Sequence, residues 1–489
     1  MSFIFNPTIT SEGRVFINVD GPGCGNGFAY HNCMKVAALD KSFGDVTPIW
    51  CPNPDAYDDF VEVGTIKGAN SRWTSSMSGK LPVSKLSPLE EIANQGCTFN
   101  IQVHYGKCSR PNDFSNFETA FIMRNARLTS YGLSELVALS PEERNAVDEN
   151  ASISVGEVYR IFNQTFSTPA QALLPANVPS AVVFCDNQSC GTDCDTRSTG
   201  CNIAIANVTG GNEFLVTEDG GQSWVSSPYN TAIGTSLKGG LACIGSDILH
   251  SDTLAGGSFM YRVPISSIIA GNAIPTTVFS GTTAQPIAEI VNADAYAFGA
   301  GGTAGAFIVA YNKNSGSSTI LESASVLSTF PLSSIDAYDD DNVLAGGTTG
   351  RYMYSNSFGA FNAGQLSVNG VNLTANISSV HMINATNWLV STNANQILCT
   401  SNSGASWSIA QSVSGPGRFG FYDDIVGYFL DTSGIYRTLD SGNSWTLIFS
   451  SVNLGANDIS VCPYNPNLIL SASGSNIFVG SGAITRGVA

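Results

Sequence analysis

Apolar and polar positions follow two regimes along this chain. In the C-terminal part, short apolar runs that end in small residues return at near-regular intervals: Tyr296-Ala-Phe-Gly-Ala-Gly, Val343-Leu-Ala-Gly-Gly, Trp388-Leu-Val-Ser, Tyr428-Phe-Leu-Asp and Leu468-Ile-Leu-Ser-Ala. Runs this short, bounded by polar turns, predict buried strands, and their return at one spacing predicts a repeat. Residues 1 to about 165 show no such period. There, Phe60-Val-Glu-Val-Gly-Thr-Ile, Cys97-Thr-Phe-Asn-Ile-Gln-Val-His, Thr119 to Thr129 and Ile153 to Phe162 alternate or are rich in β formers, which predicts strands. Between them, Ser87-Pro-Leu-Glu-Glu-Ile-Ala has a Ser cap, Pro at the first position and acids in the first turn, which starts a helix. Ser140-Pro-Glu-Glu-Arg repeats that start.

The turns that punctuate the repeat share a pattern. Thr217-Glu-Asp219-Gly-Gly221-Gln-Ser-Trp224 and Thr438-Leu-Asp440-Ser-Gly442-Asn-Ser-Trp445 fit S/T-x-D-x-G-x-x-W, and Thr400-Ser-Asn402-Ser-Gly404-Ala-Ser-Trp407 fits with Asn for Asp. Asn312-Lys-Asn314-Ser-Gly316 and Ser355-Asn-Ser357-Phe-Gly359 are weaker copies without Trp. An Asp or Asn side chain accepts hydrogen bonds from the N–H groups of its own turn, Gly takes a positive φ, and Trp packs the hairpin onto its sheet. The third positions fall at 219, 314, 357, 402 and 440, so the first step spans two periods. A turnless unit is expected around Ser258-Phe-Met-Tyr-Arg-Val, and one more from Ser460 to Val479. Seven units of about 45 residues result, the size of four-stranded propeller blades.

These turns resemble the Asp-box, or BNR, repeat of sialidases and related β-propellers, where the box is a structural turn remote from the catalytic mouth. In the N-terminal part, the strand at Gly79-Lys-Leu, the helix at Ser87, the strand from Gly96 to Cys108 and the segment Ala126-Arg-Leu-Thr-Ser-Tyr are similar in order to phage major tail proteins. That resemblance covers about 100 residues between Val63 and Ile161. It implies a sheet lining a tube, covered by a short helix, in a subunit that assembles into rings, hexameric in that family. The expected fold is mainly β: a tail-tube-like β-sandwich or barrel with a short helix over 1–165, a linker over 166–177, and a roughly seven-bladed β-propeller over 178–489.

Charge narrows the partners. The chain carries a net charge of −17, and Lys and Arg are outnumbered by Asp and Glu both before residue 178 and, more strongly, after it. No Lys/Arg stripe exists to neutralise phosphates, so nucleic acid is not an expected partner. No apolar run approaches the ~18 residues that span a membrane, and the N-terminus lacks the basic start and apolar core of a secretory signal. Asn-x-Ser/Thr sites are expected to be unglycosylated.

Twelve Cys are many for a reduced compartment. Cys185, Cys190, Cys194 and Cys201 crowd into one loop. Zinc would need paired knuckles that this spacing supplies only by sharing a ligand. A disulfide-stapled loop is the expectation, in a product that reaches an oxidising medium without secretion, as a lysis-released virion made in the host cytoplasm does. The remaining chemistry points away from catalysis. Tyr261-Arg262-Val263-Pro264 resembles the Arg-Ile-Pro signature of sialidases but follows the first turn instead of preceding all of them. His31, His104, His250 and His381 are scattered. Asp336-Ala-Tyr-Asp-Asp-Asp-Asn342 lacks the spacing of a calcium loop and reads as a solvated turn. Neither cofactor nor catalytic residue is expected. The leading reading is a structural virion protein, a tail-tube subunit whose partners are itself, other tail proteins, and a host glycan or protein at the propeller. The alternatives are a sialidase-like hydrolase and a non-catalytic glycan- or protein-binding propeller.

Overall fold

The computed structural model describes residues 13–18, 27–34, 36–42, 47–52, 60–66, 72–82, 87–105, 117, 119–134, 146–162, 165–167, 178–185, 201–209, 213–228, 240–254, 257–281, 287–303, 305–323, 329–450, 455–474 and 476–481. They form two compact units, one of residues 1–21 and 28–163, the other of residues 22–27 and 164–489.

The N-terminal unit contains β1 (Gly13–Asn18), β2 (Ala29–Met34), β3 (Val36–Ser42), β4 (Thr47–Pro52), β5 (Phe60–Ile66), β6 (Arg72–Pro82), α1 (Pro88–Gln95), β7 (Phe99–Tyr105), β8 (Thr119–Ser134), β9 (Ala146–Val155) and β10 (Glu157–Phe162). An eight-stranded antiparallel sheet runs β2-β1-β7-β8-β9-β6-β3, with β10 also on β8, and β4 and β5 form a separate hairpin. Asn125, at φ 52°, interrupts β8 where Gly156 separates β9 from β10. The Gly156 N–H donates to Arg124 O at 3.2 Å there. The core joins Val15, Ile17, Met77, Ile101, Val103, Met123 and Ile153 to Leu89 and Ile92 of α1.

The expected helix forms as read: Ser87 Oγ caps Leu89 N–H at 3.1 Å, and Gly96 closes it at φ 69°. Ser87 also donates to the buried carboxylate of Glu149, which accepts from Tyr131 at 3.1 Å and pairs with His31 Nε2 at 2.7 Å. Burial alone would raise the Glu149 carboxyl; the bonds from His31, Ser87 and Tyr131 overcome it and hold it below its ordinary value. Burial drives Tyr131 up to about 12. The second helix start, at Ser140, lies outside the described residues. A tail-tube barrel is not established by this sheet, and the structure gives only its mainly β character with, among the described residues, one short helix.

The C-terminal unit is a seven-bladed β-propeller. Its seven four-stranded antiparallel sheets each use strands consecutive in sequence, except the last. β11 (Thr165–Ser167), which the sequence divides between the end of the N-terminal domain and the linker, pairs with the strand Asn476–Ser481 and becomes the outer strand of blade 7. That corrects the expected boundary at 178: the propeller starts at 165 and closes by borrowing its own beginning. Blades 1 to 6 span residues 178–228, 241–281, 287–323, 332–365, 377–412 and 418–450, and blade 7 adds 458–481. Blade 2, expected to lack the turn, replaces it with α2 (Ile265–Ile269).

The recurring apolar runs are the second strands of blades 3 to 7. Those at Tyr296, Trp388 and Gly427 are buried almost throughout, because a neighbouring blade covers each face. Their small residues admit that neighbour: a Cβ on Gly346 would sit 2.4 Å from Ile377 and 2.8 Å from Val380 of blade 5.

The three full turns share one hydrogen-bond pattern. Thr217 Oγ1 donates to Asp219 Oδ1 at 2.7 Å and accepts Gly221 N–H at 2.9 Å, while Asp219 accepts Ser223 N–H at 2.9 Å. Thr438, Asp440, Gly442 and Ser444 repeat this at 2.8, 2.8 and 2.9 Å. Thr400, Asn402, Gly404 and Ser406 do so at 2.8, 3.1 and 2.9 Å. Gly221, Gly404 and Gly442 have φ of 93°, 82° and 80°, and Trp224, Trp407 and Trp445 are buried. The weaker copies depart: Asn312, not Asn314, is the acceptor, taking Asn314 N–H and Ser315 N–H.

Candidate functional site: the propeller channel

Each inner strand carries the chemistry of the axis. Four of them, in blades 1, 3, 4 and 5, have a bulge at the same place, shifting register at Pro179/Ala181, Ile287/Glu289, Leu332/Ser334 and Ile377/Ser379. A bulge re-aims the side chains beside it. The following residues reach across to the next blade. Ile335 N–H donates to Glu289 Oε2 at 2.9 Å, Val380 N–H to Ser334 Oγ at 3.1 Å, and Phe419 N–H to Ser379 Oγ at 3.3 Å. Farther along, Met382 N–H donates to Asp336 Oδ2 at 2.8 Å. Across the seam from blade 7 to blade 1, Val182 N–H donates to Asp458 Oδ2 at 2.9 Å and Phe184 N–H to Ser460 Oγ at 3.1 Å. Where blades 2 and 3 meet, the space is taken by backbone: a Cβ on Gly240 would lie 2.0 Å from Ile290 N.

These strands surround an axial cavity of about 770 Å³ lined by residues of all seven blades, including Glu289, Asp336, His381, Arg418 and Asp458. Arg418 Nη1 donates to Ser378 O at 2.9 Å and lies 3.5 Å from Glu289 Oε2, so an ion pair links blade 6 to blade 3 across the axis. His381 Nδ1 meets Asp336 Oδ2 at 2.7 Å, and its ring stacks on Phe421 at 3.9 Å and 13°. Burial, with Glu289 nearby, pushes the Asp458 carboxyl up to about 7 against the pull of Val182 N–H and Arg418.

None of the turn residues and none of the described loop cysteines picked out in the sequence lines this cavity. Thr217, Asp219, Gly221, Trp224, Asn402, Gly404, Trp407, Thr438, Asp440, Gly442 and Trp445 all sit at the connection between third and fourth strands. Two of the four loop cysteines form disulfides, with partners outside the loop: Cys185 bonds to Cys243 of blade 2, and Cys201 to Cys462 of blade 7, with Cα atoms 5.4 and 5.8 Å apart. Cys190 and Cys194 lie outside the described residues. The acidic turn after Asp336 is not merely solvated. Asp339 accepts Asn342 N–H at 2.7 Å, Asp340 accepts Ala295 N–H at 2.9 Å, and Asp341 accepts Phe358 N–H at 2.8 Å, which ties blade 4 to blade 3.

The sialidase-like signature goes elsewhere as well. Arg262 pairs with Asp247 within blade 2, Nε to Oδ2 at 2.9 Å. Arg351 lies over Phe330, Arg437 is buried, and among the described residues Arg418 alone of the arginines lines the cavity. Asp336 and His381, which the sequence presents only as part of a solvated turn and as one of four scattered histidines, meet in this cavity. They stand 45 positions apart, one blade period, and so occupy the same place on successive inner strands.

No protein-family model and no curated protein matches the chain. Among solved structures it is similar to YCF48 from Cyanidioschyzon merolae, at 14% identity and TM-score 0.47 over 65% of this chain and 98% of that one. It is also similar to YCF48 bound to D1 peptide, at 11% identity and TM-score 0.48 over 66% and 97%. The WD40 β-propeller domain of Doa1 aligns at 9% identity and TM-score 0.47 over 67% and 100%.

Proposed function

We propose that the propeller is a non-catalytic binding module whose axial channel receives a segment of a partner protein. The observation that carries this reading is the commitment of the channel's reactive groups to architecture. Glu289, Asp336 and Asp458 each accept a backbone N–H of the next blade, and Ser379 and Ser460 do the same. Ser180 donates to Asn207 at 2.7 Å. Among the described residues, no tyrosine lines the cavity and the Arg triad of a sialidase has no counterpart. A cavity of this size with a few placed polar groups suits recognition. Peptides selected from a displayed random library against the full chain should lose binding when Ala288→Trp fills the channel while the unfolding midpoint is kept. Undiminished binding by that variant contradicts the reading, and hydrolysis of a fluorogenic sialoside returns the hydrolase.

The N-terminal unit supports a second, compatible reading: a virion component, in its specific form a tail-tube subunit that forms rings. The observation behind it is that β2 and β3, the two ends of the large sheet, are each paired on one side only among the described residues. Such edges are normally paired, covered or blunted, and subunit contacts around a ring would pair them. Mass spectrometry of purified particles should find the chain in many copies; particles without it contradict this reading.

A further inference from the structure

We propose that the channel recognises a protonated amine, the ammonium of a lysine side chain or of a chain N-terminus on the partner. This rests on the channel being the binding site and adds the chemistry of what it binds. Several polar atoms of the channel are left over after the architecture is satisfied. Asp336 Oδ2 is occupied by His381 Nδ1 and Met382 N–H, and Glu289 Oε2 by Ile335 N–H and the Arg418 pair. Among the described residues, Asp336 Oδ1, Glu289 Oε1 and His381 Nε2 take no hydrogen bond. The 2.7 Å contact of Nδ1 with Asp336 leaves Nε2 as the uncommitted ring nitrogen. The stack on Phe421 fixes the plane of that ring.

Two carboxylate oxygens therefore stand free on the inner strands of blades 3 and 4, beside the uncommitted Nε2 of His381 on blade 5, against one guanidinium that already spends a donor on Ser378 O. An ammonium has three donors and no acceptor. The acceptors are single atoms from different blades, an arrangement that suits a compact point charge better than the planar fork of a guanidinium. Charge agrees. Among the described residues of the lining, Glu289, Asp336 and Asp458 face one arginine, so carboxyl groups outnumber the guanidinium and a carboxylate ligand would be disfavoured.

The test follows the His381 ring by heteronuclear NMR in the full chain, with the resonance assigned from His381→Gln. His31, His104 and His250 are buried and serve as internal controls. Three probes are titrated: Nα-acetyl-lysine methylamide, which carries only the side-chain ammonium; alanine methylamide, which carries only the α-ammonium; and Nα,Nε-diacetyl-lysine methylamide, which carries neither. We expect a saturable shift of His381 with at least one ammonium, the responding arm naming the source, and none with the diacetyl probe. Glu289→Gln keeps an oxygen for Ile335 N–H and should weaken the response about tenfold, the loss of one charge-assisted hydrogen bond. Absence of a saturable shift with both ammonium probes, or an equal shift with the diacetyl probe, overturns the proposal. Saturation by Nα-acetyl-glutamate methylamide instead would overturn the amine and leave the channel as a binding site.

Discussion

Asp219 and Asp440 hold the same place in two copies of one turn, yet their carboxyls move in opposite directions. Burial would raise Asp219, but bonds from Ser223 and Thr217 prevail and lower it; Asp440 lies deeper, burial prevails over the bonds from Ser444 and Thr438, and it is raised. Asp219 therefore adds stability above its unfolded pKa that is lost as pH falls through the folded value. Asp440 contributes most at low pH, and its contribution is lost as pH rises. Replacing Asp440 by Ala orphans Ser444 N–H and the Thr438 hydroxyl, and should cost about 1–3 kcal/mol in denaturant unfolding without changing peptide binding. Unchanged stability with lost binding would contradict the structural role of the turn. Asp458, raised to about 7, contributes stability in full below the unfolded range near pH 4, and that contribution disappears as pH rises through about 7. The unfolding midpoint of Asp458→Asn should accordingly vary less than the parent's between pH 5 and 8; parallel curves would contradict the shift. The turn residues were legible because their chemistry is local, completed within eight positions. Asp336 and His381 were not, because they meet only when two blades stand side by side, although their spacing of one period already held the clue.

Helix α1 could be read from Ser87, Pro88, Glu90 and Glu91, since capping is a matter of adjacent residues. What anchors its cap could not: Glu149 lies 62 positions from Ser87 and His31 lies 118 from Glu149. β11 escaped for a related reason. Three residues, Thr165-Phe-Ser, carry no pattern of their own, and become a strand only because the edge of Asn476–Ser481 is open to them. Phe166 then packs on Phe449 at 4.9 Å. A fragment starting at residue 164 should be monomeric and unfold cooperatively. One starting at 178 leaves that edge bare and should unfold earlier or associate through it, as light scattering and thermal denaturation of the pair would record. Identical behaviour of the two fragments would remove β11 from the closure.

The blade count emerged from the steps between turns, because a propeller repeats one unit and its period is written along the chain. Its closure was hidden, because disulfide connectivity does not follow from cysteine spacing. Cys201–Cys462 spans 261 positions and joins blade 1 to blade 7, the seam that β11 and the Asp458 and Ser460 bonds also close. Cys462→Ser should lower stability by about 2–5 kcal/mol, read from denaturant midpoints under oxidising conditions, and a dithiol should bring the parent close to the variant. Matching midpoints of parent and variant before reduction would contradict a locking role. Within the closed ring, seven inner strands converge on one polar cavity whose carboxylates hold the blades together and whose remaining acceptors face inward. The measurement that tests this account most directly is a structure of the full chain bound to a library-selected peptide. Density in the channel, with a peptide donor against Glu289, Asp336 or His381, is the predicted result. A peptide seated on the outer strands, with the channel unchanged, would contradict it.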